Sequence, residues 1–213
     1  MQSNIYSLFA VPFIQVQHPD CEQLNQNLRD VILAREALGS RYRNPSPAMG
    51  IHESLFESSF DFFASTDPCV EKLRTFCFSW LMRSIAELSG LSQTDLKQLN
   101  LRSQTWFHVS RSGAFFELHN HPMASWSGVY CVSPGEQGAP NNGAISFLNP
   151  MGASNMFLDK VNSQTKLPFS GRNFLLRPAA GELILFPSYL FHQVLPYLGE
   201  SERITVAFNC WFD

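Results

Sequence analysis

The second half of the chain alternates apolar and polar residues with a period of two, which is the pattern of β-strands. Eight such segments follow one another, and glycine, proline, asparagine or serine separates them. In chain order they are TWFHVS, AFFELH, WSGVYCVS, GAISFL, NFLLRP, ELILFP, FHQVLP and RITVAFNCWF. Because no helical pattern lies between them, this spacing predicts an antiparallel sandwich or barrel.

In the first half, apolar residues recur at helical spacing in two segments. The first predicts a helix over residues 21–38, with Asp20 as its N-cap. The second predicts a helix over residues 67–89, with Asp67 as its N-cap and Pro68 at the first helical position, where a missing N–H costs nothing.

Together these patterns predict an α+β fold in which N-terminal helices buttress a β jelly roll. We expect a single domain over residues 1–213, with strand and helical support in 1–99 and the jelly-roll core in 100–213, because no repeat or linker divides the chain. Residues 5–17 predict a strand at a sheet edge, since proline interrupts the segment. Residues 40–66 show no regular period.

Composition narrows the class of protein. Of 213 residues, 45% are hydrophobic and 15% are charged, which excludes a disordered or coiled-coil protein. A net charge of −3 gives no excess of positive charge, which would favour binding to nucleic acid or to an anionic membrane. The five cysteines form no C-x-x-C pair, and we expect reduced thiols. With no secretory signal and no apolar run of the ~20 residues that span a bilayer, the sequence predicts a soluble cytoplasmic protein.

The segment ELHNHP, from Glu117 to Pro122, carries the first candidate chemistry. Alternate residues of a strand share a face, so His119 and His121 would point to one side, where two imidazoles can bind one metal ion. His192 follows an apolar strand and a turn, which would bring its side chain to the mouth of the barrel. The alternative is a pair of surface histidines beside a proline.

The final strand, RITVAFNCWF, combines an apolar face with a polar one. Arg203, Thr205 and Asn209 alternate with apolar residues and therefore share a face. Such a face is either exposed to solvent or lines a polar cavity.

These pieces, in the order H-x-H, S-G-V-Y, G-x-L-x-x-F-P-x-x-x-x-H-x-V and R-x-T, resemble the iron(II)/2-oxoglutarate-dependent oxygenases. The resemblance is greatest to their prolyl-hydroxylase-like bacterial and phage branch with an HNHP motif, and it covers roughly residues 100–213. It implies that the jelly roll is a cupin-like double-stranded β-helix. It also implies Fe(II) as the metal, 2-oxoglutarate as cosubstrate and O2 as oxidant, with ascorbate as an optional reductant.

The resemblance implies that His119, His121 and His192 are the metal ligands and catalytic residues. His121 stands where the commonest family pattern has a carboxylate, so Glu117 is kept as an alternative that would complete or support the site.

For the cosubstrate, Arg203 matches the family arginine that binds the distal carboxylate of 2-oxoglutarate, and Thr205 matches the hydroxyl that shares this contact. Tyr130 and Asn209 are further candidates for this role. Trp106, His108 and Trp126 could line the substrate pocket, although core packing is favoured for each.

The implied reaction is hydroxylation of a small molecule, or of an amino-acid or peptidyl side chain, with decarboxylation of 2-oxoglutarate to succinate. Two alternatives stay open: a three-histidine cupin-type dioxygenase that uses no 2-oxoglutarate, and a non-catalytic jelly-roll binding module. We expect no nucleic-acid or membrane partner and leave a homodimer open. Loops 40–66 and 150–171 are expected to border the substrate site, and the second is long enough to form a lid.

Overall fold

The computed structural model describes residues 3–47, 53–136, 138–152, 157 and 159–213. Within these ranges the chain forms three α-helices and ten β-strands. The helices are α1 (Cys21–Ala37), α2 (Pro68–Ser89) and α3 (Gln93–Gln98). The strands are β1 (Ile14–Gln17), β2 (Leu55–Glu57), β3 (Leu101–Ser110), β4 (Phe116–His119), β5 (Trp126–Ser133), β6 (Ile145–Phe147), β7 (Phe174–Leu176), β8 (Glu182–Pro187), β9 (His192–Val194) and β10 (Arg203–Phe212).

The strands form two antiparallel sheets, as the period-two pattern predicted. The larger sheet has the order β1-β8-β5-β10-β3-β2, and the smaller has the order β4-β9-β6-β7. All eight strands predicted after residue 100 are present. The predicted α+β jelly roll is confirmed.

Successive side chains of a strand point to opposite faces of the sheet, so the large sheet contributes to two separate hydrophobic cores. Leu183 and Leu185 of β8 join the apolar side chains of α1 and α2 in the main core. Ile184 and Phe186 of the same strand point the other way, into a smaller core shared with β6 of the second sheet. The helices therefore cover one face of the large sheet, and the small sheet covers the other.

Both predicted helices form, but their N-termini differ from the prediction. Neither Asp20 nor Asp67 caps its helix with a side-chain hydrogen bond. Asp67 instead accepts a hydrogen bond from Arg35 of α1 at 2.7 Å and ties the two helices together. Pro68 begins α2, and Gly90 ends it in the left-handed conformation, with φ of 71°. No helix in the described part of the chain is long and apolar enough to cross a bilayer.

The segment 40–66 contains structure that its sequence did not predict. Strand β2 pairs with β3 and forms one edge of the large sheet, while β1 forms the opposite edge, as expected. Helix α3 was also missed, although Ser92 and Asp95 form a reciprocal capping box at its start.

Candidate active site

A cavity of about 340 Å³ lies between the two sheets. Its walls include side chains from β3, β4, β5, β9 and β10. The predicted polar face of β10 lines this cavity and is buried, so it is not a solvent-exposed face.

Three histidines meet at one side of the cavity. His119 of β4 and His192 of β9 are direct cross-strand partners, with ring centroids 4.3 Å apart. His121 lies in the turn after β4. One ring nitrogen from each of the three lies within 4.8 Å of the others.

His121 reaches this position through a turn, whereas the sequence pattern placed it on a strand. Strand β4 ends at His119, and the His121 amide donates to the Ser188 carbonyl at 2.9 Å. Glu117 has an exposed side chain at the edge of the cavity. Among the residues that the structure describes, no carboxylate belongs to the cluster of potential ligands.

Strand β4 also contains a β-bulge. Phe116 pairs with Val194 and His119 pairs with His192, so three steps along β4 match two along β9. The extra residue places Phe116 and His119 on the same side of the strand, where both line the cavity.

Backbone carbonyls fix the tautomers of two of the histidines. The Nδ1 atom of His119 lies 2.7 Å from the Glu117 carbonyl oxygen, and the Nδ1 atom of His192 lies 3.0 Å from that of Leu190. Because a carbonyl oxygen only accepts, each Nδ1 carries the proton and each Nε2 keeps its lone pair. A free lone pair on an oriented ring is what a metal ion requires.

Burial keeps the three imidazoles neutral. Burial, with the neighbouring histidines as a smaller cause, lowers the pKa of His121 to about 4 and that of His192 to about 3. Burial also lowers the pKa of His119, against the hydrogen bond to the Glu117 carbonyl. The neutral form is the one that binds metal, so these residues fit a divalent ion.

Arg203 lies in the same cavity and is 5% exposed. Its guanidinium makes no hydrogen bond or ion pair with any residue in the described part of the chain. Burial lowers the pKa of Arg203, yet a guanidinium stays protonated in proteins. An unpaired buried cation is costly, so the cavity is built for an anionic ligand. Thr205 is buried beside it on the same face.

The other two candidates for cosubstrate binding have partners within the protein. Asn209 lines the cavity, but its Oδ1 accepts a hydrogen bond from Ser127 at 2.7 Å. Tyr130 lies outside the cavity, contrary to the prediction. Its side chain points to the helix side of β5, where the hydroxyl donates to Asn25 Oδ1 at 2.8 Å.

Trp106 and His108 line the cavity, whereas Trp126 packs against the main core. Sequence reasoning missed Glu57, which also lines the cavity. It lies on β2, and three residues are too few to show a period.

The family of the chain follows from comparison with known proteins. Residues 104–209, about half of the chain, match the family model described as "Putative 2OG-Fe(II) oxygenase". The chain belongs to the Fe(II)/2-oxoglutarate-dependent oxygenases. It is accordingly an enzyme that uses Fe(II), 2-oxoglutarate and O2. This assignment decides against a dioxygenase that uses no 2-oxoglutarate and against a binding module without activity.

Solved structures of this oxygenase family share the fold. A prolyl-4-hydroxylase from Pseudomonas putida is 17% identical, with a TM-score of 0.62 over 95% of this chain and 92% of its own. HygX from Streptomyces hygroscopicus, solved with nickel, 2-oxoglutarate and hygromycin B, is 15% identical, with a TM-score of 0.56 over 94% of this chain and 83% of its own.

A third similar structure is a prolyl hydroxylase from Trichoplax adhaerens in complex with a hypoxia inducible factor peptide fragment. It is 12% identical, with a TM-score of 0.57 over 93% of this chain and 83% of its own. A comparison with curated protein sequences finds no match.

Proposed function

We propose that His119, His121 and His192 hold the Fe(II) of this oxygenase. The support is the convergence of their ring nitrogens, together with two lone pairs fixed by backbone carbonyls. When bound, the iron activates O2 for oxidation of the cosubstrate and the substrate. The Glu117 and Leu190 carbonyls orient the imidazole rings and hold the protons on Nδ1.

Arg203 and Thr205 bind the distal carboxylate of 2-oxoglutarate. The observation that carries this proposal is the buried guanidinium without a partner, in the cavity that also contains the three histidines. A planar fork of N–H donors matches a carboxylate at two points. Val129, Ile145 and Val194 line the same cavity and exclude water, which strengthens the charge interaction.

The substrate is a small molecule or an amino-acid or peptidyl side chain, which is hydroxylated. The similar structures support both classes, because one is a prolyl hydroxylase with a peptide and another holds hygromycin B. The HNHP branch, the cytoplasmic location, the single domain and the homodimer are predictions from the sequence. The lid prediction for residues 150–171 falls partly outside the described residues.

Calorimetry with the anaerobic Fe(II) protein tests this assignment. We expect stoichiometric binding of 2-oxoglutarate and, when O2 and ascorbate are admitted, release of succinate. A protein that binds iron but neither binds 2-oxoglutarate nor releases succinate would contradict the proposed role of Arg203.

A further inference from the structure

The cavity has a second polar wall, which the proposed binding of iron and 2-oxoglutarate does not use. Glu57 forms this wall, Glu117 lies at the edge of the same cavity with an exposed side chain, and Arg203 is the cavity's one lysine or arginine among the described residues. Aromatic side chains line the same cavity, among them Phe60, Trp106 and Trp211. Once Arg203 binds a carboxylate, the charge that is left in the cavity walls is negative.

Glu57 is held in a fixed position at this wall. Its Oε1 accepts a hydrogen bond from Asn44 Nδ2 at 2.7 Å, and its Oε2 lies 3.0 Å from His108 Nε2. The side chain is 12% exposed. A carboxylate has about four lone-pair positions, so the two contacts leave acceptor capacity for a ligand in the cavity.

The Glu57 carboxylate is ionised at neutral pH. Burial raises its pKa, but the hydrogen bonds from His108 and Asn44 and the charge of His108 outweigh burial and bring the pKa below its usual value. His108 Nε2 also lies 3.0 Å from Trp106 Nε1, so the imidazole links the indole ring to the Glu57 carboxylate.

This wall borders the proposed metal ligands. The Trp106 ring centroid lies 6.1 Å from that of His121. A substrate group that contacts Glu57 and the aromatic side chains would therefore lie close to the position at which oxidation takes place. Carboxylates and aromatic faces both attract cations.

We propose that Glu57 determines specificity by selecting substrates with a cationic group, a primary ammonium or a guanidinium, near the oxidised carbon. This proposal rests on the proposed function, because it takes the cavity as the substrate site. An anionic substrate would be repelled at this wall, and a neutral side chain would gain no charge interaction with the Glu57 carboxylate.

Matched probes test the selection by charge. The protein is loaded with Zn(II) and 2-oxoglutarate, which together do not turn over, and is titrated with Nα-acetyl-L-arginine amide and with its neutral analogue Nα-acetyl-L-citrulline amide. Nα-acetyl-L-lysine amide and the norleucine analogue form a second pair. In at least one pair we expect the cationic probe to bind about tenfold more tightly, equivalent to ~1.4 kcal/mol.

The Glu57→Gln variant keeps the shape of the side chain and an acceptor for Asn44 but removes the charge. We expect its ratio of cationic to neutral affinity to fall close to one, while Glu57→Asp retains a preference. Glu87→Gln removes an exposed carboxylate on α2, away from the cavity, and should leave the ratio unchanged. Unchanged 2-oxoglutarate affinity in each variant shows that the site is intact.

Equal affinities within both probe pairs, or no measurable binding of any probe, would overturn the proposal. A preference that survives in Glu57→Gln would overturn the role of Glu57. Failure of the proposed function has a different signature: the wild type would not bind 2-oxoglutarate, whatever its preference among the probes.

Discussion

Arg203 is the residue whose environment most narrows what the cavity can bind. Its partner must be an anion, and the shape of the guanidinium favours one with two oxygens in a plane. Lysine at this position would keep the charge but would present a single point of donation. A comparison of arginine with lysine at position 203 therefore distinguishes two-point recognition of a carboxylate from simple neutralisation of its charge.

We expect Arg203→Lys to raise the dissociation constant of 2-oxoglutarate by about tenfold or more, or ~1.4 kcal/mol. Calorimetry with the anaerobic Fe(II) protein measures it. Arg102→Lys is the matched control, because Arg102 is exposed on β3 and pairs with Asp213. Equal 2-oxoglutarate affinities in wild type and Arg203→Lys would exclude a two-point contact.

His121 gives the proposed metal site three neutral ligands, so a bound Fe(II) would keep one more positive charge than it does with a carboxylate ligand. We expect His121→Ala to abolish stoichiometric Fe(II) binding under anaerobic conditions, as measured by metal analysis after gel filtration. His18→Ala, far from the cavity, should bind iron normally. Full retention of iron in His121→Ala would remove this residue from the ligand set and favour Glu117 or water.

At the scale of elements, the interface between α1 and the large sheet explains why the Tyr130 side chain points away from the cavity. The register pairs Tyr130 with Val206, whose side chain lies in the main core, and pairs Cys131 with Thr205 on the cavity side. A tyrosine close to the H-x-H segment in sequence therefore stabilises the helix–sheet interface.

We expect Tyr130→Phe to lower the free energy of unfolding by about 1–2 kcal/mol, because the buried Asn25 Oδ1 loses its donor. The affinity for 2-oxoglutarate should not change. Urea unfolding and calorimetry on the same preparations measure the two quantities. Weaker 2-oxoglutarate binding with unchanged stability would return Tyr130 to the cosubstrate site.

The elements also show which features of the fold and of the site could be predicted from the sequence. Strand β10 is ten residues long and begins with polar and apolar residues in alternation, so the shared face of Arg203 and Thr205 was readable without a structure. The orientation of Tyr130 was not, because it depends on which residue of β10 lies opposite. Glu57 escaped notice because β2 is three residues long and is formed by pairing with β3, a contact distant in sequence. The short helix α3 was within reach, since its Ser92 and Asp95 carry a capping-box spacing.

At the scale of the whole molecule, the proposed metal ligands belong to separate parts of the chain that meet only in the native fold. A metal ion that binds them therefore binds the folded state and not the unfolded chain. Such binding stabilises the folded state by mass action, by about 2.7 kcal/mol at an ion concentration one hundred times the dissociation constant. For a chain of this size, that corresponds to a rise in Tm of about 5–10 °C.

We expect Zn(II) to raise the Tm, and 2-oxoglutarate to raise it further when Zn(II) is present. In Arg203→Lys the Zn(II) increment should persist and the 2-oxoglutarate increment should shrink. Differential scanning calorimetry measures both. A 2-oxoglutarate increment that is equal in wild type and variant would mean that the cosubstrate binds without Arg203.

The bulge in β4 has a consequence for how this protein can change over evolution. Phe116 and His119 face the cavity together because β4 has one residue more than the matching stretch of β9. Substitutions at the two positions between them leave that count intact. Loss of one residue there would remove the bulge and leave the phenylalanine and the histidine two positions apart, on one face of a regular strand. The segment is therefore free to vary in composition and to shorten by one residue. An insertion, in contrast, would have to be absorbed by a longer bulge for the histidine to keep facing the cavity.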